Sequence, residues 1–144
     1  MDEIFGNFII PHEFAPSSTV CIYLNIHWGV NVASATGTLI WLFDYAYAEP
    51  NGTFTPTATM RVPIDMTTTT QYEHVITEIP SPIFNGTGVL QVDGVIMVRV
   101  YRDAGAAGDN SAASGFVFLL GASVPVSKFA TKYRNSVATG SVYQ

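Results

Sequence analysis

The feature that most constrains the fold is an alternation of apolar and other side chains in residues 19–48. From Val20 to Trp28 every second residue is apolar, and a period of two with one fully apolar face is typical of a strand that covers a core. Residues 39–48 alternate as well, but both of their faces begin with apolar side chains. The second run therefore predicts a central strand whose outer face is also covered, and we expect a subunit contact there.

Shorter strand-like segments separated by turn signals complete the pattern. We expect one domain over residues 1–144, with an N-terminal arm or edge strand at 1–18, further strands at 53–62, 72–79, 89–103 and 115–127, and an extended tail at 128–144. Asp93 and Gly94 form either a hairpin turn or a bulge. Alternate residues from Phe116 to Val124 are expected to share one face, and the small residues of 104–114 predict a mobile loop.

The fold class follows from this spacing. No segment has the apolar stripe of a helix, and turns recur every 8 to 15 residues or so, which is the pattern of a sandwich or barrel. The sequence predicts an all-β protein, a single jelly-roll-like antiparallel β-sandwich of about eight strands with little or no helix.

The low charge of the chain limits its partners. Charged residues make up 12% of the sequence, about half of the fraction usual in soluble domains. We therefore expect a surface rich in hydroxyl and amide groups, part of which is buried against other copies or another protein. Six Lys and Arg and a net charge of −5 argue against a nucleic-acid partner. The acidic N-terminus and the absence of about 20 consecutive apolar residues argue against a secretion signal or a membrane span.

No motif in the sequence predicts a catalytic, cofactor or metal site. The single cysteine excludes a disulfide framework, and the three histidines are far apart in sequence, whereas metal sites commonly use a close pair. Asp44 lies among aromatic residues and is interpreted as a structural hydrogen-bond acceptor or a partner of Arg99 or Arg102. We therefore expect a protein that is not an enzyme; a glycan hydrolase is the least favoured hypothesis.

Two sets of motifs carry a resemblance to a known class of proteins. The first set is Ile-His-Trp-Gly at 26–29, Gly-Thr-Leu-Ile-Trp-Leu-Phe-Asp-Tyr-Ala-Tyr-Ala at 37–48 and Gly-Thr-Phe at 52–54. The second set is Val-Arg-Val-Tyr-Arg-Asp at 98–103, Phe-Val-Phe-Leu-Leu-Gly-Ala-Ser at 116–123 and Ala-Thr-Lys-Tyr-Arg-Asn at 130–135. In this order they resemble β-sandwich modules of tailed-bacteriophage virion proteins. Where relatives tend to carry His-Tyr and an acidic residue, this chain has Val124-Pro125-Val126-Ser127.

The resemblance implies a trimeric, jelly-roll-like virion protein without a cofactor. Such modules occur as capsid decoration or cement proteins and as heads of tail fibres. Because the fold begins within about ten residues of the first Met, with no room for a fibre shaft, we expect a homotrimer that binds the major capsid protein on the capsid exterior after assembly in the host cytoplasm. The alternative is a receptor-binding head that recognises a host surface glycan.

The predicted subunit contacts combine three features: the outer face of the second long strand, the aromatic residues at its end, and the C-terminal tail. His27 is either a polar residue on an outer strand face or a residue at the symmetry axis. The predicted contact residues are His27, Ile40, Leu42, Asp44, Tyr45, Tyr47, Tyr133 and Tyr143.

Overall fold

The computed structural model of the protein describes residues 3–12, 22–83 and 90–123. It contains the strands β1 (Glu3–Ile9), β2 (Tyr23–Val30), β3 (Thr38–Ala48), β4 (Ala58–Asp65), β5 (Val75–Glu78), β6 (Val95–Arg102) and β7 (Gly115–Ser123), and a 3₁₀ turn at Met66–Thr68. Sheet A has the strand order β1-β6-β3-β4, and sheet B has the order β5-β2-β7. All strand pairs within the two sheets are antiparallel.

The predicted fold class is confirmed. The protein is an all-β, jelly-roll-like sandwich, with seven strands in the described residues rather than about eight. The first strand lies at an edge of sheet A, as expected, and β4 lies at the opposite edge. That position accommodates Pro63 within β4, because an edge strand has one side on which a missing N–H breaks no ladder bond.

The two long strands that dominate the sequence lie in different sheets. Strand β2 pairs with β5 and β7, whereas β3 pairs with β4 and β6. Their inner faces meet across the core, where the ring centroids of Trp28 and Trp41 are 5.7 Å apart at an interplanar angle of 72°. The Trp28 Nε1–H donates a hydrogen bond of 2.9 Å to Thr77 Oγ1, which satisfies the buried indole. The alternation therefore identified both inner faces correctly, and the outer faces of β2 and β3 point in opposite directions.

The loop after β6 is held in place, in contrast to the mobile loop expected from its small residues. The Arg102 guanidinium donates from Nε to Asp109 Oδ2 at 2.9 Å and from Nη2 to Asp109 Oδ1 at 2.6 Å. It also donates to the carbonyl groups of Ser111 and Ala113. The Ile40 N–H donates to Asp109 Oδ2 at 3.0 Å, which fastens the loop to β3.

This loop has an electrostatic consequence. The side chain of Asp109 is 1% exposed and that of Arg102 is 17% exposed, so the ion pair lies largely out of water. Hydrogen bonds from Arg102 hold the pKa of Asp109 below its usual range, despite the opposing effect of burial. The carboxylate is therefore charged at neutral pH and paired with the guanidinium.

Strand β7 contains a bulge that reverses part of its predicted orientation. Its register with β2 shifts between Trp28, which pairs with Val117, and His27, which pairs with Leu119, so Phe118 is the extra residue. Phe116 and Phe118 are 40% and 53% exposed, whereas Leu120 packs against the core. The prediction that alternate residues from Phe116 share one face is therefore wrong for the described part of the strand, and Val124 lies outside the described residues.

Asp93 and Gly94 form a turn that leads into β6. Asp93 has a φ of 62°, and the Gly94 N–H donates to Gln91 O at 3.1 Å. The same turn is held by Ile10, whose N–H donates to Gly94 O at 2.9 Å and whose carbonyl accepts from the Asp93 N–H at 2.9 Å.

Candidate interaction surface

An open groove crosses the outside of sheet A. Its volume is about 750 Å³, its floor comes from β1, β6 and β3, and one wall comes from the segment before β4. Hydrogen bonds fix that wall: Thr55 N–H donates to Tyr47 O at 2.8 Å, and Tyr47 N–H donates to Thr55 Oγ1 at 3.1 Å. The residues that line this surface, here called groove A, are Phe5, Gly6, Asn7, Asp44, Tyr45, Ala46, Phe54, Thr55, Thr57, Met97, Val98 and Arg99.

The apolar residues of groove A are unusually exposed. Phe5 is 68% exposed, Met97 is 51% exposed and Phe54 is 48% exposed. Single exposed apolar side chains are common, but several that line one concave surface are typical of an interaction site. The groove therefore has the composition of a contact surface.

A polar network lies on the floor of groove A. Paired residues place one row across all four strands of sheet A, containing Phe5, Arg99, Asp44 and Thr59. Thr59 Oγ1 donates to Asp44 Oδ1 at 2.6 Å, and Arg99 Nη1 is 3.6 Å from Asp44 Oδ2. Arg99 also pairs with Glu3, so one cation is shared by two carboxylates.

Tyr101 extends this network. Its ring centroid is 4.3 Å from Cζ of Arg99, an arrangement that favours a cation–π contact. Burial raises the pKa of the Tyr101 hydroxyl, and the charge of Asp44 adds to the effect. Of the two arginines predicted as partners of Asp44, Arg99 contacts it, whereas Arg102 pairs with Asp109.

The predicted contact residues on β3 differ in their exposure. Leu42 and Asp44 lie half-buried on the outside of sheet A, and Tyr45 is half-buried and lines groove A. Ile40 and Tyr47 are 0% and 1% exposed and are covered by their own chain, so their prediction as subunit contacts is corrected. The loop fastened by Arg102 and Asp109 lies over Ile40, and the Tyr47 hydroxyl accepts a hydrogen bond of 2.9 Å from the Gln91 N–H.

The remaining predicted contacts are not part of groove A. His27 lies on the outside of sheet B, because β2 and β3 belong to different sheets. Tyr133 and Tyr143 lie outside the described residues. The predicted set is therefore divided between the two sides of the sandwich and the tail.

A second exposed patch lies on the outside of sheet B. It is called face B and consists of His27, His74, Ile76, Phe116, Phe118 and Leu119. The four apolar members are between 40% and 55% exposed. The sequence contained a signal for this patch, because residues 116–120 are all apolar and no face of such a strand is polar.

Two histidines interact at the centre of face B. His27 Nδ1 and His74 Nε2 are 2.7 Å apart, and the rings are stacked with centroids 4.9 Å apart. The distance requires one nitrogen to donate and the other to accept. Burial, together with His74, lowers the pKa of His27, which favours its neutral form. His74 and Phe118 form an edge-to-face contact with centroids 6.0 Å apart.

Within residues 3–12, 22–83 and 90–123, no group of three or more His, Cys, Asp or Glu side chains is arranged to hold a metal ion. No helix in this part of the chain is long and apolar enough to cross a membrane. Comparisons with protein-family models, with curated proteins and with solved structures find no match to this chain.

Proposed function

We propose that the protein is a non-enzymatic virion protein of a tailed bacteriophage, a homotrimeric capsid decoration or cement protein on the exterior of the head. The observation that carries its contact-making role is the exposed apolar lining of groove A, where three large side chains are between 48% and 68% exposed. The motif resemblance supports the bacteriophage assignment, the homotrimer and the capsid location.

The physical basis of this function is the burial of apolar surface against the major capsid protein and neighbouring copies. Each Å² of apolar surface removed from water contributes about 25 cal/mol, and stable interfaces bury about 1,200 to 2,000 Å² in total. The polar floor of groove A suits this role, because Asp44 already has Thr59 and Arg99 as partners. A carboxylate whose hydrogen bonds are already made can help to fix the orientation of a bound partner, and it takes part in no reaction.

Location and capsid stability test the proposal. Labelled protein is expected on capsid faces, and capsids assembled without it are expected to burst at lower temperature. Met97→Glu places a charge in groove A and is expected to reduce capsid binding about tenfold or more, since 1.4 kcal/mol corresponds to a factor of ten. Tyr72→Glu is the matched control, because Tyr72 is 71% exposed and lies outside groove A. Label at tail tips, or capsids whose stability is unchanged by the protein, would contradict the proposal.

A receptor-binding head that recognises a host glycan is the second candidate. The observation that favours it is the mixed lining of groove A, where the rings of Phe5 and Phe54 stand near the polar groups of Asn7, Asp44 and Arg99. Small-molecule sites often combine apolar walls with a few placed polar groups. Binding of a host glycan that is lost in Phe54→Ala, with unchanged capsid stability, would favour this candidate over cement.

A further inference from the structure

Charge is divided unequally between the C-terminal segment and the rest of the chain. All eleven Asp and Glu residues precede residue 124, whereas residues 124–144 contain Lys128, Lys132 and Arg134, three of the six basic residues. The same segment carries the aromatic residues Phe129, Tyr133 and Tyr143. It is therefore a cationic segment with apolar anchors, attached to a strongly acidic remainder.

Face B has the opposite character. Strands β2, β5 and β7 contain no Lys or Arg. Two carboxylates belong to the segments around the patch: Glu78 pairs with Asn25 and accepts from Ser123 Oγ at 3.0 Å, and Glu73 directly precedes His74 and accepts from the Thr70 N–H at 2.9 Å. Hydrogen bonds from Thr70 lower the pKa of Glu73, which keeps it charged at neutral pH.

We infer that residues 124–144 of one copy bind face B of a neighbouring copy. Phe129 and Tyr133 cover the exposed side chains of Phe116, Phe118 and Leu119, and the basic residues approach Glu73 and Glu78. This inference rests on the proposed homotrimer and names the surface that the tail of each subunit contacts. It brings the predicted contacts His27, Tyr133 and Tyr143 into one interface.

The direction of β7 favours a neighbouring copy over the same chain. The patch lies beside Phe116 to Leu119, and the strand then continues to Ser123. At about 3.3 Å per residue, Ser123 lies roughly 13 Å beyond Leu119, in the direction away from the patch. A tail that covered its own patch would have to reverse direction completely.

Symmetry supports the same choice. A ring of three copies uses a heterologous contact, in which each subunit offers two different and complementary surfaces. The cationic tail and the acidic, apolar face B are such a pair. Two copies of face B brought together would instead oppose carboxylate to carboxylate, which is unfavourable.

A mixed-label experiment on the full chain tests this contact. One sample carries Cys21→Ser and Tyr143→Cys with a spin label at residue 143, and it is mixed with isotope-labelled copies that have no spin label. Broadening of the Ile76 and Leu119 methyl signals in the isotope-labelled copies is expected, with Ile9 unaffected. Broadening of these signals only when both labels are on the same chain, or none on face B, would overturn the inference.

A matched pair of variants gives an independent measurement. Leu119→Glu is expected to raise the trimer dissociation constant about tenfold, a loss of about 1.4 kcal/mol. Ile9→Glu is the control, because Ile9 is also an exposed strand residue, at 66%, but lies on sheet A. A trimer with equal sensitivity to both variants and no transfer of broadening between copies overturns this inference and leaves the proposed trimer standing. A monomeric wild-type protein overturns the proposed trimer and the inference with it.

Discussion

The two outer sides of the sandwich satisfy their side chains in different ways. On sheet A, three arginines bind acceptors within the chain: Arg99 reaches Asp44 and Glu3, Arg102 reaches Asp109, and Arg61 reaches the carbonyl of Ala107. On sheet B, no cation is present in the strands, and aromatic and aliphatic side chains stand exposed beside a histidine pair. The three basic residues of the described strands therefore all belong to sheet A, and the strands of sheet B are left with mainly apolar side chains and a single carboxylate.

The two sides also differ in whether the chain buries its own apolar side chains. The outer end of β3 is sealed by its own loop, so Ile40 is fully buried. No described segment covers Leu119 or Phe118 to a similar degree, since both remain more than half exposed. The low charge of the sequence predicted that part of the surface is buried against a partner. The structure shows that one candidate part, Ile40 on β3, is instead buried by the chain itself.

The largest effect is expected from breaking the internal cover of sheet A. Arg102→Ala leaves the Asp109 carboxylate buried without its cation, and removal of one partner of a buried pair costs about 3 to 5 kcal/mol. Urea denaturation measures the loss. Arg99→Ala is the control, because its side chain is 38% exposed and its pair with Glu3 is a surface ion pair, which contributes about 0 to 1 kcal/mol. Similar losses in the two variants would show that the ion pair does not hold the loop.

A smaller loss of stability is expected when a side chain is added at Gly29, on the outside of sheet B. A Cβ at Gly29 would stand 2.7 Å from the carbonyl oxygen of Glu73 and 3.1 Å from Cζ of Phe118. Gly29→Ala is therefore expected to cost about 1 to 3 kcal/mol in thermal denaturation, since backbone must shift.

Gly6 provides a matched control for this crowding. A Cβ at Gly6 would approach only the end of the Leu120 side chain, at 2.7 Å, which can change its rotamer. Gly6→Ala should therefore cost less than Gly29→Ala. The reverse order would contradict the packing described for face B.

The two sides are expected to lose stability in different pH ranges. The pKa of His27 is lowered in the fold, so its contribution is present above its ordinary value of 6.5 and decreases as pH falls below it. The pKa of Asp109 is lowered from 3.8, so its contribution persists until pH falls below that value. In free energies of unfolding measured against pH, His27→Gln should remove the upper decrease and Asp109→Asn should reduce the lower one, to which Glu73 also contributes. A single decrease that neither variant alters would contradict this separation.

The smallest effect is expected within the polar floor of groove A. Thr59→Val removes the hydroxyl that donates to Asp44 and is expected to cost about 1 kcal/mol in urea denaturation. Thr57→Val is the matched control, because Thr57 lines the same groove and is likewise exposed. A larger loss in Thr57→Val would remove the hydrogen bond as the explanation.

Local alternation was sufficient to predict the inner faces but not the distribution of strands between sheets. The buried positions of β2 and β3 follow the period of two, because each strand covers the core on one side. Whether the segment between them makes a hairpin or crosses between sheets depends on long-range packing such as the Trp28–Trp41 contact. His27 and Asp44, which were predicted together as subunit contacts, therefore lie on opposite sides of the sandwich.

The loop and the bulge were beyond prediction for a related reason. Small residues in 104–114 indicated mobility, but Asp109 acquires its partner only after β6 places Arg102 beside the loop. The reversal in β7 arises from its register with β2, and no residue within 115–123 signals an extra position. Both features depend on contacts between segments rather than on local propensity.

The bulge in β7 also bears on how the protein avoids aggregation. Within the described residues β7 pairs only with β2, so its other side presents free backbone N–H and C=O groups at an edge of sheet B. A regular edge of this kind is a template on which strands of other molecules add to the sheet, and extra twist at a bulge disrupts that template. The extra residue, Phe118, therefore makes the exposed edge of an almost wholly apolar strand a poorer template for the addition of other strands.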